Sequence, residues 1–465
     1  MKPFLRFIVS ALLVLSLNVS GAAKPLNVLY IVSDDLNTSL GCYGNPVVKS
    51  PNLDRLAARS VRFDRAYCNY PVCNASRTSF LSGRRPATTH IVDNVTPPRT
   101  FLKDVVFLPE YFRQHGYRTI KVGKIFHTGD EFEDPRSWDV DIRETSESKK
   151  PPSAQVARKQ GPAGIVLRAN DADTWDGFVA RKAADLLEKS LQEGKPFFVA
   201  AGFRRPHAPY IAPEKYYALY DGDQLKPRSG PPEHLAKIPD MALTYRLGAE
   251  RFPQQHPGDT IAAYYASISF MDAQVGVLLE TLERLKLWDN TIVIFHSDHG
   301  YHLGEHGGLW HKMCLFEETT RVPLMIAMPG KKPGVAHGLV ELVDLYPSLT
   351  QLCGLKTPTG LEGISFVPLL ENPARDWKGA VFTVVSRGHL EGANKLDESK
   401  SGQTVFDGRW RYTLWPDGSV QLYDHKNDPF EYDNLAVENT NNRELETMKG
   451  LLKNGWKAAL PQGTN

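Results

Sequence analysis

The chain has 465 residues, of which 42% are hydrophobic and 23% charged, a composition that supports a large buried core and excludes a disordered or fibrous polymer. Lys and Arg number 55 against 53 Asp and Glu, and two of the cations, Lys2 and Arg6, fall in an N-terminal segment that reads as removable, which leaves 53 against 53. That balance argues against nonspecific nucleic-acid or membrane-surface binding, which needs a net cationic field.

Residues 1–23 carry the pattern of a signal peptide: Lys2 and Arg6, a mostly apolar run from Phe7 to Val19, then the small residues Ser20-Gly21-Ala22-Ala23. The run is shorter than the roughly 20 residues a membrane span requires. An exported protein, periplasmic or secreted, with no membrane span in its mature form is the expectation. In an oxidising compartment, five cysteines (Cys42, Cys68, Cys73, Cys314 and Cys353) leave at least one unpaired within the chain.

Leu26 to Val32 is a nearly continuous apolar run that predicts a strand buried on both faces, ending in Ser33-Asp34-Asp35. Thr119 to Val122 is a shorter run ending in Gly123-Lys124. Residues 144–162, containing SESKKPPS, read as an exposed insertion. Asp173 to Glu193 has helical periodicity. Pro196 to Ala201 predicts a strand ending in Gly202-Phe203-Arg204-Arg205-Pro206-His207. A second helix is predicted from Thr260 to Leu287, with Ile268, Met271, Val275, Leu278, Leu279 and Leu282 on one face, followed by a strand from Thr291 to Phe295 that ends in His296-Ser297-Asp298-His299. Strands alternating with helices predict an α/β fold with a mostly parallel sheet covered on both faces, whose sites lie beyond the carboxyl strand ends. From residue 371 the character changes to short strand-like pieces, with a Pro416-Asp417-Gly418 hairpin signal, and predicts a small antiparallel C-terminal subdomain. The expected organisation is residues 24–370 as the main domain and 371–465 as the subdomain.

The most distinctive segment is Cys73-Asn74-Ala75-Ser76-Arg77 with Leu81-Ser82-Gly83-Arg84 downstream. A buried structural cysteine is the bland reading. A thiolate phosphatase loop would need arginine at position 79, which is Ser. Cys73 and Arg77 would share one face of a helix beginning here. Three further segments place cations and imidazoles together: Gly123-Lys124-Ile125-Phe126-His127, Arg205-Pro206-His207-Ala208-Pro209 and Trp310-His311-Lys312.

The CNASR and LSGR pairing resembles the signature of the type I sulfatases, in which this cysteine is oxidised to formylglycine by a maturation enzyme. The resemblance implies an alkaline-phosphatase-like sandwich. It also implies one calcium ion per subunit, ligated by Asp34, Asp35, Asp298, His299 and an oxygen of modified Cys73. Hard oxygen donors suit that cation, and converging carboxylates repel without one. It assigns Arg77 to positioning residue 73, Lys124 and Lys312 to the sulfate, His207 to protonating the leaving group and His127 to the second step. His90, His296, His302, His306 and His311 receive no role. The segments at 204–210, 264–276, 297–306, 340–349 and 422–436 resemble the iduronate-2-sulfatase branch in particular. The implied activity is removal of sulfate from a sulfated saccharide, with exo action on a 2-O-sulfated uronic acid of a glycosaminoglycan. The rival readings are a sulfatase of another sugar or regiospecificity, a phosphonate or phosphodiester hydrolase of the same superfamily, and a non-catalytic protein that binds sulfated glycans.

Overall fold

The computed structural model describes residues 25–144, 156–160, 163–247, 256–387, 398–437 and 443–461. The expected signal peptide and most of the expected insertion lie outside these residues. Among the described residues the main sheet has nine strands, eight of them in the order Gly334–Ala336, Val61–Tyr67, Arg321–Ala327, Thr291–Ser297, Asn27–Asp34, Phe197–Pro206, Arg118–Gly123, Val140–Ile142. The ninth, Val340–Glu341, also pairs with Val61–Tyr67. Arg321–Ala327 runs antiparallel to both neighbours and the other pairings are parallel, so the sheet is mixed and mostly parallel.

The four strands expected from their apolar runs are the four adjacent central ones. Every residue of Asn27–Asp34 and Thr291–Ser297 is buried, as both-face coverage requires. Successive side chains alternate sides: Leu29 and Ile31 join one core layer with Val199 and Ala201, whereas Val28, Tyr30 and Val32 join the other with Phe198 and Ala200. Helices Trp175–Glu193 and Pro257–Arg284 cover the first face, their Val179, Leu187, Ile268, Met271, Val275 and Leu279 lying in that layer. The Thr174 hydroxyl accepts from the Gly177 amide and caps the first of these helices.

Two further strands of the sheet lack the unbroken strand-like pattern of the central four. Val61–Tyr67 (VRFDRAY) alternates buried and half-buried residues, and Arg321–Ala327 contains Pro323. A proline offers no amide to the ladder. The pairing shifts register between Val322 and Leu324, where the Tyr43 hydroxyl accepts from the Leu324 amide at 2.8 Å and lies 3.0 Å from the Phe63 carbonyl. Within the expected exposed insertion, Val156–Gln160 is a strand that pairs antiparallel with Gly164–Leu167. The polar run there is compatible with a strand whose residues are largely exposed.

Near the C-terminus, Val381–Ser386, Ser401–Phe406, Trp410–Leu414 and Val420–Asp424 form an antiparallel meander, covered by helix Arg443–Asn454. It is bound tightly to the rest of the chain. Buried Lys378 Nζ contacts Glu341 at 2.6 Å and Asp344 at 2.7 Å, and Arg85 contacts Glu341 at 2.6 Å. Val385, Trp415 and Tyr423 share an apolar cluster with Tyr70 and Ala75, next to the Cys73 segment.

Candidate active site

The loops that follow the four central strands converge at one end of the sheet. Helix Cys73–Ser82 begins at Cys73 and all ten of its residues are buried, so Cys73 and Arg77, four apart, share a face directed at those loops. Arg77 is completely enclosed and spends its donors in four directions. Nε donates to Asp298 at 2.9 Å, Nη2 to Asp34 at 3.1 Å, and Nη1 to the carbonyls of Lys124 and Ile125 at 2.7 and 3.0 Å. It thereby ties three strand ends together. It acts on residue 73 through the helix they share and through these carboxylates.

Asp35 sits in the left-handed region, φ 64°, a conformation short polar side chains tolerate best. The turn is held from both sides: the Asp35 amide donates to Asp298 Oδ1 at 3.2 Å, and the Tyr264 hydroxyl donates to the Asp35 carbonyl at 2.7 Å. Asp298 Oδ1 also accepts from the His299 amide at 3.0 Å, and Ser76 donates to the Asp298 carbonyl at 2.5 Å. Lys124 is placed by a close backbone approach. A side chain on Gly123, φ 84°, would lie 2.2 Å from the Gly202 carbonyl oxygen, the same oxygen that accepts from the Lys124 amide at 3.0 Å.

Four sequence-selected groups gather most tightly: one ligand atom each from Asp34, Asp35, Cys73 and His299 lies within 4.8 Å of the others, and all four residues are buried. Cys73 Sγ is 3.4 Å from His299 Nε2 and 3.8 Å from Asp35 Oδ1, and Lys312 Nζ approaches it to 3.1 Å while pairing with Asp35. Lys124 Nζ meets Asp34 Oδ2 at 2.6 Å. Asp298 stands just outside the tight group, its Oδ2 3.7 Å from His299 Nε2 and bonded to Arg77. The donor set fits a hard divalent cation if residue 73 presents oxygen: two buried carboxylates are already ionised, whereas a thiol sulfur is a poor partner for such an ion.

The electrostatics agree. Burial opposes the charge on both carboxyls, yet Lys124, with Arg77 and Lys312, holds Asp34 below the usual range, and contacts with His207, Lys312 and His299 do the same for Asp35. Lys312, despite burial, is raised above the ordinary lysine value by Asp35 and its neighbours. Burial and then Asp34 push the Cys73 thiol well up, against Lys124 and Lys312. An unmodified thiol here stays protonated, which removes thiolate chemistry.

The two remaining histidines flank this centre differently. His207 lies between the cis prolyl bonds Arg205-Pro206 and Ala208-Pro209. Its Nδ1 lies 2.5 Å from the Ala208 carbonyl and its Nε2 3.9 Å from Asp35 Oδ2. Burial, with Lys312 and Lys124, lowers it to about 4 in spite of Asp35. His127 packs edge-on against Phe132 at 4.8 Å, and burial together with Lys124 lowers it to about 3. Its Nδ1 is buried and has no hydrogen-bond partner among the described residues.

Several site residues carried no sequence signal. Tyr264 lies inside a helix whose periodicity marks it as core, and Asp176, in the first turn of another helix, reads as a cap. Asp176 in fact accepts from the amides of Arg204 and Arg205 at 3.0 and 2.9 Å, and Arg205 Nη1 donates to the His207 carbonyl at 2.6 Å, so the pair shapes the His207 turn. Of the unassigned histidines, His296 is buried behind the site against Tyr30 and Phe80, and His306 stacks on Phe316.

A mostly parallel sheet with flanking helices, an antiparallel C-terminal sheet and a strand-end centre of this kind define a hydrolase of the alkaline-phosphatase-like class. The chain belongs to the sulfatase family: the Sulfatase family model matches residues 26–355, and the model for the C-terminal part of N-sulphoglucosamine sulphohydrolase matches residues 304–457. It is therefore an enzyme that hydrolyses sulfate esters, of a family that uses formylglycine and a metal. Iduronate 2-sulfatase of Mus musculus is 36% identical over 392 residues, which cover 73% of this chain and 70% of that protein. A sulfatase of Formosa agariphila is 31% identical over 462 residues, covering 92% and 86%. In structure, the phosphonate monoester hydrolase of Agrobacterium radiobacter matches with a TM-score of 0.80 at 21% identity, over 93% of this chain and 95% of that one, a likeness of fold. Among the described residues no helix is long and apolar enough to cross a membrane.

Proposed function

We propose that this chain is an exported sulfatase that removes sulfate from a terminal 2-O-sulfated uronic acid of a glycosaminoglycan or similar polysaccharide. The observation that carries the reading is the buried Cys73, set against Asp35, His299 and Lys312 in a chain 36% identical to an iduronate 2-sulfatase. Cys73 converted to formylglycine by a maturation enzyme supplies, when hydrated, one hydroxyl to attack sulfur and a second whose deprotonation expels sulfate. Calcium, the metal this reading assigns to Asp34, Asp35, Asp298, His299 and residue 73, supplies charge that favours the deprotonated hydroxyl.

The chain's own residues do the remaining work. Arg77 and Asp298 fix the strand ends, so residue 73 and the carboxylates need no reorganisation when substrate arrives. Lys124 and Lys312, paired with Asp34 and Asp35 respectively, neutralise the nonbridging sulfate oxygens. His207 is the group that protonates the departing sugar oxygen, because its turn is fixed by Asp176 and Arg205 and its Nε2 faces the centre. His127, neutral and with Nδ1 unpartnered, takes the proton of the second step.

Two measurements test this. The peptide containing Cys73, from protein produced with a maturation enzyme, should have the mass of the aldehyde form; fully active protein with an intact thiol overturns the mechanism. A panel of defined sulfated disaccharides should show turnover of the terminal 2-O-sulfated uronate and little of 6-O- or N-sulfated sugars. Preference for either of the latter overturns the specificity.

A further inference from the structure

A second cleft lies away from the catalytic centre, between strand Val61–Tyr67 and the C-terminal meander, with a volume of about 1050 Å³. Val61–Tyr67 is three strands from Asn27–Asp34, which places the cleft about 14 Å across the sheet at the usual strand spacing. The segment leaving the catalytic loop connects them: Thr38, on the cleft wall, is only three residues beyond Asp35, at most about 10 Å along an extended chain.

The lining is cationic in a chain whose overall charge is near zero. Arg62, Arg65, Arg228, Arg321, Arg409 and Lys426 face three carboxylates, Asp64, Glu317 and Glu318. Most of these cations are already engaged. Arg62 bonds Asp64, Arg228 meets Glu318 at 2.7 Å, Arg321 lies 3.8 Å from Glu317, and Arg409 is matched by Asp424 at 2.9 Å behind the wall. Arg65 and Lys426 are different: neither has a carboxylate partner among the described residues. Arg65 is half-buried and lies across Gly408, where a side chain would come within 2.9 Å of its Nη1, so its guanidinium is confined to the cleft wall. Lys426 is exposed, and cations without counterions at a cleft wall are favourable places for an anion. Beside them Phe430 is 45% exposed, with the Arg228 guanidinium 4.0 Å over its ring.

We propose that this cleft binds an anionic segment of the same sulfated polysaccharide whose terminal sugar is processed at Cys73. Arg65 and Lys426 pair with sulfate or carboxylate groups on internal sugars, and Phe430 packs against a sugar face. The inference rests on the reading of the catalytic site as acting on a sulfated saccharide. It adds that the natural substrate is a chain several sugars long. A volume at the upper end of the range for small-ligand sites accommodates more than one sugar unit.

The test compares a sulfated disaccharide with a sulfated octasaccharide carrying the same terminal residue, in wild type and in the double variant Arg65→Glu/Lys426→Glu. A milder Arg65→Gln/Lys426→Gln pair is carried alongside, and thermal melting checks the fold of each. In wild type the octasaccharide should have the lower KM, an advantage that shrinks as salt rises. The variants should raise the octasaccharide KM roughly tenfold, the size expected for two lost, partly exposed ion pairs, with disaccharide kinetics unchanged. Equal loss on both substrates, or none on either, overturns the proposal. If wild type turns over neither saccharide, the catalytic reading fails instead, and calorimetric binding of the octasaccharide then judges the cleft directly: loss of binding in the double variant supports it and retention overturns it. Polyglutamate of equal charge that binds as tightly, with the same sensitivity to the variants, overturns the assignment to a saccharide.

Discussion

His207→Gln separates the proposed acid from a bystander. In the substrate-free site the ring is neutral: burial, reinforced by Lys312 and Lys124, places it at about 4. At pH 7 that is about three units from protonation, an expense of about 4 kcal/mol. A sulfate ester carries one negative charge, and a unit charge about 4 Å away in a partly screened protein site is worth about 4 kcal/mol. Substrate binding therefore charges the acid that the reaction needs. On a sugar sulfate, whose alkoxide leaves poorly, His207→Gln should lower kcat/KM by roughly 10²–10⁴. On nitrophenyl sulfate, whose leaving group needs no proton, it should change little. The pH profiles follow with the same sign. Because kcat/KM reports the free enzyme, on the sugar ester it should fall as pH rises above about 4. The descending limb of kcat reports the complex and should lie closer to neutrality, and the nitrophenyl ester should lack the limb. Equal losses on the two esters, or a sugar-ester kcat/KM flat from about pH 4 to 8, would refute the reasoning.

Four other outcomes are expected. Cys73→Ala should abolish turnover while calorimetry still detects binding of a sulfated disaccharide; residual turnover near wild type counts against residue 73 as nucleophile. Arg77→Lys keeps the charge but loses the divided guanidinium contacts to Asp34 and Asp298, so thermal or denaturant unfolding should show a loss of about 3–5 kcal/mol, with turnover reduced at least as steeply. Chelation of divalent ions should stop turnover and lower the melting temperature, both restored by calcium; full activity after exhaustive chelation contradicts the metal assignment. Lys378→Met should destabilise by about 3–5 kcal/mol, because Glu341 and Asp344 lose a buried partner. Burial alone would raise the Glu341 carboxyl, but Arg85 and Lys378 hold it at about 2. Its pairing therefore stabilises the fold above the ordinary glutamate range and is lost as pH falls from about 4.5 towards 2, which acid-unfolding curves of wild type and Lys378→Met would separate.

The central strands were legible because burial on both faces demands an unbroken apolar run, and Leu26 to Val32, Pro196 to Ala201 and Thr291 to Phe295 each have one. Val61–Tyr67 escaped notice because Arg62, Asp64 and Arg65 interrupt its pattern towards the cleft, and Arg321–Ala327 because Pro323 argues against a strand until Tyr43 is seen serving the ladder in its place. At the site, charged residues stood out where they follow a strand, as Asp34, Asp35, Asp298 and Lys124 do. Tyr264 and Asp176 lie within helices, where their apolar or capping character is the stronger signal, and their contacts with Asp35 and the His207 turn depend on packing between segments 229 and about 29 residues apart.

The charge of the centre constrains what it can process. Three carboxylates, Asp34, Asp35 and Asp298, are met by three permanent cations, Arg77, Lys124 and Lys312, while His127 and His207 are held neutral. With a divalent cation the substrate-free site carries two positive charges in excess, and protonation of His207 in the complex adds a third. A sulfate monoester contributes one negative charge and a deprotonated hydroxyl on residue 73 another, so the assembled site keeps one positive charge, which passes to the leaving group as the His207 proton. A phosphonate monoester is a monoanion too and gives the same balance. Charge therefore does not separate sulfate from phosphonate, and discrimination between them must come from how closely Lys124, Lys312 and His207 fit the transferred group. Paired nitrophenyl sulfate and phenylphosphonate esters measure that fit directly: the sulfate should turn over faster, and a faster phosphonate would place the chain's chemistry with the hydrolases it resembles in fold.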